Sequence, residues 1–246
     1  MTAGSGTPGL SSLHASPVTR VLHTLIRPRQ ALKAAASNGS WARWALMLAA
    51  VPGLARALFL STSVGQLALV DQWERTATAF GGRIDDVSYA ALQASAERFG
   101  VLYAIGSACL RGPVLSALLA LLLHLAYRGA RERRQAFAST AAVVVQASAV
   151  LALRDLVATP VSYLREAVTE PGSLGLWFPA LNANSPLARL LGVVDVFVLW
   201  WIVVLAIGVS VLHARPTRRL ALLFLGVYLV VALLLALVMA AADTGA

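Results

Sequence analysis

The chain has 246 residues, of which 59% are hydrophobic and 13% are charged, and its formal net charge is +9. Soluble domains carry about 25% charged and about 45–50% apolar residues, so this composition excludes an ordinary soluble protein. The positive charge does not indicate a nucleic-acid partner, and we expect none, because basic residues also collect on the cytoplasmic side of membranes. The single cysteine, Cys109, excludes an intrachain disulfide framework and a multi-cysteine metal site.

The N-terminal region combines a polar tail with two short helices. Residues 1–16 are small, polar and rich in Gly, Ser and Pro, which predicts a disordered tail. After the tail, Val18, Leu22 and Ile26 belong to an apolar stripe at helical spacing, and Pro28 marks the start of a second helix. We expect the first helix to lie flat on the anionic inner leaflet. The basic residues expected to contact this leaflet are Arg20, Arg27, Arg29 and Lys33.

Five segments are apolar enough to cross a bilayer, which takes about 20 mainly apolar residues. Ser185 and Pro186 have the residue types of a helix cap and a first helical residue, so they predict the start of the helix that forms the fourth span. The sequence predicts an all-α, polytopic membrane bundle. It forms one membrane domain over residues 17–242, followed by a short tail at 243–246. The expected spans are about 41–60, 101–127, 136–153, 190–212 and 220–242.

Basic residues in the connections between the spans predict the orientation. The N-terminal segment and the loops after the second and fourth spans hold most of the arginines, and five crossings place all three on one side. The connection over residues 61–100 contains more acidic than basic residues. We therefore expect a multi-pass protein of a bacterial plasma (inner) membrane, with the N-terminus in the cytoplasm and the C-terminus outside.

The two outer connections carry further patterns. Over residues 70–103, apolar residues recur at three- and four-residue steps, which predicts two amphipathic helices separated by Gly81 and Gly82. The second of them is expected to continue into the second span. The connection after the third span is rich in Pro and Gly, and it places Trp177 and Phe178 where an aromatic belt would lie.

Motifs for catalysis are absent from the sequence, which has no HExxH, CxxC, GxSxG or phosphate-binding Gly-rich loop ending in Lys. Ser116 and His124 are two turns apart, but small hydroxyls are common in helix interfaces. His124 and His213 are expected to reach the inner interface or to be satisfied by neighbours, rather than to form a metal or proton site. We therefore predict no enzyme activity and no catalytic, cofactor-binding or metal-binding residues.

Charged residues in the outer half of the predicted bundle form the most informative feature. Asp195 is the only acid expected well inside a span, and a charge there is costly unless it is paired or hydrated. One interpretation is a polar cavity, open to the outside, that binds an anion or a lipid headgroup. The other, which we favour, is a structural ion-pair network that locks the helices together. The residues of this predicted cluster are Arg56, Arg111, Arg154, Asp155 and Asp195.

Three segments resemble the Yip domain family (Yip-one type, Ypt/Rab-interacting membrane proteins), and specifically its small prokaryotic branch. The entry segment begins VLHTLIRPRQALKAAASNGSWARW, the central pair of helices surrounds LLHLAYRGARERRQAF, and the last hairpin begins LLGVVDVFVLWW. In that hairpin an Asp-x-Phe-x-x-Trp pattern falls on Asp195, Phe197 and Trp200. The resemblance implies a five-helix integral membrane protein without known catalytic residues. Eukaryotic members of the family are linked to vesicle trafficking and small GTPases.

Two function classes follow from the sequence. The leading hypothesis is a non-enzymatic scaffold or membrane-organising protein, whose partners are anionic inner-leaflet lipids and membrane or peripheral proteins, with homo-oligomer formation left open. The alternative is a transporter or a lipid- or anion-handling protein that uses the outer arginine and aspartate cluster. A water-accessible cavity at Asp195 would favour the alternative, whereas a closed ion pair would favour a structural role.

Overall fold

The computed structural model describes residues 16–37, 40–127, 137–168, 170–178 and 185–244. Within these ranges the chain is helical, without a β-sheet, and five helical segments are long and apolar enough to cross a membrane, so the predicted all-α five-span bundle is confirmed. The predicted tail, apart from Ser16, and the basic loop after the second span lie outside the described residues. The helices are α1 (Pro17–Ile26), α2 (Pro28–Ala36), α3 (Trp41–Leu60), α4 (Ser63–Ala79), α5 (Asp86–Cys109), α6 (Leu115–Ala126), α7 (Phe137–Ala147), α8 (Ala149–Leu164), α9 (Pro186–Val193), α10 (Val196–His213) and α11 (Thr217–Thr244).

The second span belongs to one long rod. α5 continues into α6 through a π-helical turn, Leu110–Val114, and together they form a 41-residue helix from Asp86 to Ala126. Pro113 lies in this turn; it lacks a backbone N–H and cannot fit an unperturbed α-helix, so the wider turn accommodates it. The two helices predicted over residues 70–103 are present as α4 and the first part of α5, and they pack against each other.

The third span is longer than the predicted segment 136–153. α7 and α8 form one span from Phe137 to Leu164, so Arg154 and Asp155 lie inside the helix rather than at its end. The prediction ended the span at these charges because an unpaired charge is costly in apolar surroundings. In the fold Arg154 lies close to the carboxylates of Asp155, Glu170 and Asp195, so its charge is compensated and the helix continues to Leu164. α7 is also the centre of the bundle, since every residue from Thr140 to Ala147 is buried.

The fourth span begins later than predicted. Ser185 does cap a helix that starts at Pro186, but this helix is the short α9, which ends at Val193. The chain is extended at Val194 and Asp195, and the spanning helix α10 begins only afterwards, with Asp195 as its N-cap. The expectation that Asp195 lies well inside a span is therefore wrong; it lies where the span begins. The fifth span, α11, packs against α9 and α10 and leaves most of its surface exposed.

Candidate functional site

A cavity of about 570 Å³ lies among the spanning helices, and its charged end lies near the end of α3 away from α1 and α2, in what we call the far half. α3, the π-turn, α6 and α8 surround it, and Trp201 of α10 contributes to its wall. One end of the cavity is apolar and the other carries charged and polar side chains. The charged lining residues are Arg56, Arg111, Arg154, Asp155 and Glu170, and Gln72 and several Ser and Thr residues also line the cavity.

Small residues explain why the cavity exists. A Cβ atom added at Gly53 would lie 2.8 Å from the Cβ of Ala108, and one added at Gly112 would lie 2.8 Å from the Cβ of Ala49. These two contacts bring α3 against the α5–α6 rod at the π-turn. Along α6, beyond the π-turn, the rod moves away from α3, because α3 packs against α7 and α8 rather than against α6. The space between them is the apolar end of the cavity.

Arg154 forms the centre of an ion-pair network on the side of the cavity opposite Arg56 and Arg111. Its Nη1 lies 3.4 Å from Asp195 Oδ2, its Nε lies 3.5 Å from Asp155 Oδ1, and its Nη2 lies 3.6 Å from Glu170 Oε1. The side chains of Asp155 and Glu170 are 39% and 54% exposed, whereas that of Asp195 is only 5% exposed. The first two carboxylates therefore stay accessible while they share one guanidinium with Asp195.

Asp195 is held in place by its role as a helix cap. Its Oδ1 accepts hydrogen bonds from the backbone N–H groups of Phe197 at 2.7 Å and Val198 at 3.2 Å, two donors at the N-terminus of α10 that lack partners within the helix. Its own backbone N–H donates to the hydroxyl of Tyr228 on α11, and that hydroxyl donates to Val193 O. Asp195 thus closes the break between α9 and α10.

The loop over residues 170–178 covers this break. Val196 N donates to Gly172 O and Leu174 N donates to Val194 O, both at 2.8 Å. Gly172 lies so close to the Asp195 carboxylate that a Cβ atom at that position would overlap it. We call the contacts of this loop, Asp195, Arg154 and Tyr228 the clasp.

Arg56 and Arg111 differ from Arg154 in having no carboxylate partner. Among the described residues, no carboxylate oxygen lies within 4.0 Å of either guanidinium. Arg56 lies 5.9 Å from the ring centroid of Tyr103, and its Nη2 is buried without a hydrogen-bond partner. Gln72 Oε1, which also lines the cavity, is buried and unpartnered as well. The cavity wall therefore presents polar groups whose bonding capacity is unused.

The structure divides the predicted cluster into two parts. Arg56, Arg111, Arg154 and Asp155 line the cavity together. Asp195 lies behind Arg154 and does not line the cavity. The closed Arg154–Asp195 pair therefore favours a structural role for Asp195, whereas the cavity at Arg56 and Arg111 favours a binding role for these arginines. Glu170 and Gln72 were missed by the sequence analysis, because Glu170 lies in an irregular Pro- and Gly-rich segment and Gln72 lies in a helix predicted from its apolar residues alone.

The Yip1 domain model matches residues 22–240 of the chain. The chain belongs to the Yip1 domain family. The resemblance found in the sequence is thereby confirmed over nearly the whole membrane domain. No curated protein and no solved structure matches the chain.

The Yip1-like pattern of Asp195, Phe197 and Trp200 has a local structural explanation for its first two positions. The Asp195 side chain accepts a hydrogen bond from Phe197 N, and the Phe197 ring packs against the main core. Trp200 points outward and is 36% exposed. In this Yip1 domain the pattern therefore starts and anchors α10.

Near its N-terminus this Yip1 domain differs from the expected arrangement. Arg20 turns toward the bundle, where Nη2 donates to Gln146 Oε1 at 3.0 Å and the guanidinium lies 4.3 Å from the centroid of Trp44. The buried Thr24 receives a hydrogen bond from Gln146 Nε2. α1 thus leans on α7 and α8 through Arg20 and Thr24, which satisfy the buried Gln146, while Val21 and Leu25 pack on the core beside them. Arg27, Arg29 and Lys33 are exposed, whereas Arg20 is half-buried.

The two histidines in the spans have aromatic neighbours. His213 stacks on Tyr127 with centroids 5.0 Å apart, and His124 meets Phe137 edge-on at 6.0 Å. Within the described ranges no group of three or more His, Cys, Asp or Glu side chains is arranged to hold a metal ion.

Proposed function

We propose that this chain is a non-enzymatic integral membrane protein that binds a phosphate or another anionic group between Arg56 and Arg111 in the far-half cavity. The observation that supports this proposal is that two arginines on the cavity wall have no carboxylate partner in the part of the chain that the structure describes. A charge inside a membrane protein is costly unless it pairs or meets water. A bound anion would supply the missing partner through charge-assisted hydrogen bonds.

The structural ion-pair interpretation is supported for Asp195 but does not extend to these two arginines. Arg154 and Asp195 contact each other within the clasp, and Asp195 is buried. Arg56 and Arg111, by contrast, line the cavity without a carboxylate in contact distance among the described residues. Each of them feels the positive charge of the other, since Arg111 acts electrostatically on Arg56. An anion placed between two like charges relieves their repulsion, which is a reason to assign binding rather than packing to this pair.

A scaffold or membrane-organising role would use a different surface. α11 leaves a broad apolar side exposed, including Leu222, Val230 and Val238. Lipids, a second copy of the chain or another membrane protein could cover this side. Crosslinking from cysteines placed at these positions distinguishes the cases, because a scaffold predicts one reproducible crosslinked protein partner and a lipid-facing helix predicts none.

We further propose that α1 and α2 lie on the cytoplasmic side of a bacterial plasma membrane, so that the cavity lies in the outer half. The arginine distribution supports this orientation. A reporter active only in the cytoplasm should give a signal when inserted at Arg131 and none when fused after Ala246. The opposite pattern would reverse the orientation.

The binding proposal is tested by calorimetry in detergent with a short-chain phosphatidic acid and, separately, with inorganic phosphate. Arg56→Gln and Arg111→Gln should each weaken binding about 10- to 100-fold, because a hydrogen bond to a charged group contributes about 1.5–3 kcal/mol. Arg98→Gln is the matched control, since Arg98 is exposed on α5 and lies against Phe99 away from the cavity. Binding of the lipid alone would assign the anion to a headgroup.

Absence of binding to the wild type, or equal binding by the Arg56 variant, would refute the proposal. The unfolding temperature of each variant is measured in parallel. Because Arg56 and Arg111 have no carboxylate partner to lose, their variants should unfold at about the wild-type temperature, which separates a binding defect from misfolding.

A further inference from the structure

The charges around the cavity are not evenly distributed. Arg56 and Arg111 form a cationic side with no carboxylate in contact distance among the described residues. On the opposite side one guanidinium, that of Arg154, is shared by three carboxylates, so this side has an excess of negative charge. Two of these carboxylates, Asp155 and Glu170, also line the cavity.

The two sides are close but not in contact. Arg56 feels the negative charges of Asp155 and Glu170, yet no ion pair joins them. A purely anionic ligand would satisfy the arginines but would be repelled by the carboxylates. A ligand with one positive and one negative group, held a few bonds apart, would satisfy both sides.

The rest of the cavity is apolar apart from a few Ser and Thr hydroxyls. Leu48, Leu115, Leu119 and Leu151 line the end between α3 and α6, together with Trp201. Its floor contains Ser116 and Ser148, whose hydroxyls lie 3.4 Å apart and bond to each other. Leu115, Leu118 and Leu122 border the cavity and are also exposed on the surface of α6, so this end opens toward the bilayer. A hydrocarbon chain fits here because it loses no hydrogen bonds on entry.

We propose that the occupant of the cavity is a zwitterionic phospholipid that enters sideways between α3 and α6. Its phosphate lies between Arg56 and Arg111, its ammonium faces Asp155 and Glu170, and one acyl chain occupies the apolar end. This inference depends on the proposed function, since it specifies which molecule provides the anionic group. It adds that Asp155 and Glu170 determine headgroup specificity.

The test compares phosphatidylethanolamine with phosphatidylglycerol of the same chain length, offered together to the delipidated full-length protein and quantified by native mass spectrometry. The two lipids share a phosphate and differ in the ammonium. The wild type should retain phosphatidylethanolamine about tenfold over phosphatidylglycerol, as expected for one charge-assisted contact. Glu170→Gln should reduce this preference, and Glu170→Gln combined with Asp155→Asn should abolish or reverse it.

Asp86→Asn is the matched control, because Asp86 is an exposed carboxylate outside the cavity, and it should leave the preference unchanged. Glycerophosphoethanolamine, which has the headgroup but no acyl chains, should bind at least about 100-fold more weakly than the lipid, because each buried CH₂ contributes about 0.8 kcal/mol. Comparable binding of this soluble compound would refute the acyl-chain part of the inference.

Failure of this inference is distinguishable from failure of the proposed function. Equal retention of both lipids, lost in Arg56→Gln, would overturn the zwitterion assignment and leave the anion site standing. A preference for phosphatidylglycerol would also overturn it. If neither lipid shows retention that is lost in Arg56→Gln, both proposals are refuted. Glu170→Gln changes an exposed side chain on a loop, so this variant keeps the test valid if the Asp155 variant does not fold.

Discussion

Arg154 and Arg56 line the same cavity from two helices that pack together, and they differ in what surrounds them. Arg154 has three carboxylates within ion-pair distance, whereas Arg56 has an aromatic ring and a buried, unpartnered Nη2. Both are arginines of the far half, so position along the span does not separate them. The two arginines differ in the number of carboxylates that compensate their charge. This number distinguishes a charge that holds helices together from one that is available to a ligand.

Asp195→Ala should give the largest loss of stability. The change removes a buried carboxylate that pairs with Arg154 and caps α10, and breaking a buried pair costs about 3–5 kcal/mol. Asp195→Asn keeps the shape and some capping, so it should cost less. Thermal unfolding in detergent measures both. Unfolding of Asp195→Ala at the wild-type temperature would show that the clasp does not stabilise the fold.

A second change in the same experiment tests the choice of arginine. Adding Arg154→Met to Asp195→Ala should restore part of the loss, because the single variant leaves the Arg154 guanidinium beside the α9–α10 break without its most buried carboxylate partner, and the double variant removes that guanidinium. Recovery should be incomplete, since Asp155 and Glu170 lose their shared partner. Adding Arg56→Met instead should restore nothing. If Arg56→Met rescues better than Arg154→Met, the division between the clasp and the open arginines is wrong.

Gly172→Ala should have an intermediate effect. A methyl group at this position would overlap the Asp195 carboxylate, so the loop must move away from the α9–α10 break. Overpacking of this kind costs about 1–3 kcal/mol. Gly192→Ala is the matched control, because no atom lies within 4 Å of a Cβ placed there. The two unfolding temperatures are compared; equal values would contradict the tight contact in the clasp.

Asp85→Asn should give the smallest change in stability, because Asp85 is an exposed N-cap, in contrast to the buried N-cap Asp195. Its Oδ1 accepts a hydrogen bond from Ser88 N at 2.8 Å, and hydrogen bonds from Ser88 lower the pKa of Asp85 below its usual value of 3.8. Because the folded-state pKa is depressed, the stabilisation is present above the unfolded-state pKa and is lost as the pH falls through the folded-state value.

The measurement is the unfolding temperature from about pH 7 to about pH 3, which brackets the carboxyl range. Asp85→Asn should lose less stability than the wild type over the acidic part of this range, and the two should differ most near neutral pH. A difference that does not change with pH would exclude ionised Asp85 as the source of the stabilisation.

The five spans and the grouping of four cluster residues were predictable because hydropathy and charge act locally along the chain. The contacts that these residues form with distant parts of the chain were not predictable. Asp195 was placed inside a span because the apolar residues before it continue the pattern, while the break at Val194 depends on hydrogen bonds from a distant loop and from Tyr228. The contacts of Arg20 with Gln146 and Trp44 were not predictable, because a helical pattern separates two faces without showing which one a neighbouring helix covers.

The π-turn in the second span has a consequence for the phase of the long rod. Ala96, Gly100 and Ala104 form the buried stripe of α5, and Ser116, Ala120 and Leu123 form that of α6. At roughly 100° per residue, an unbroken α-helix would place Ser116 roughly 120° around the axis from Ala104. The extra residue of the wider turn takes up about one such step, which returns both stripes to nearly the same side. Deleting one residue from Leu110–Val114 would therefore restore a regular α-helix and keep both stripes on nearly the same side, whereas winding all five residues as an α-helix would rotate one buried stripe toward lipid by roughly 120°.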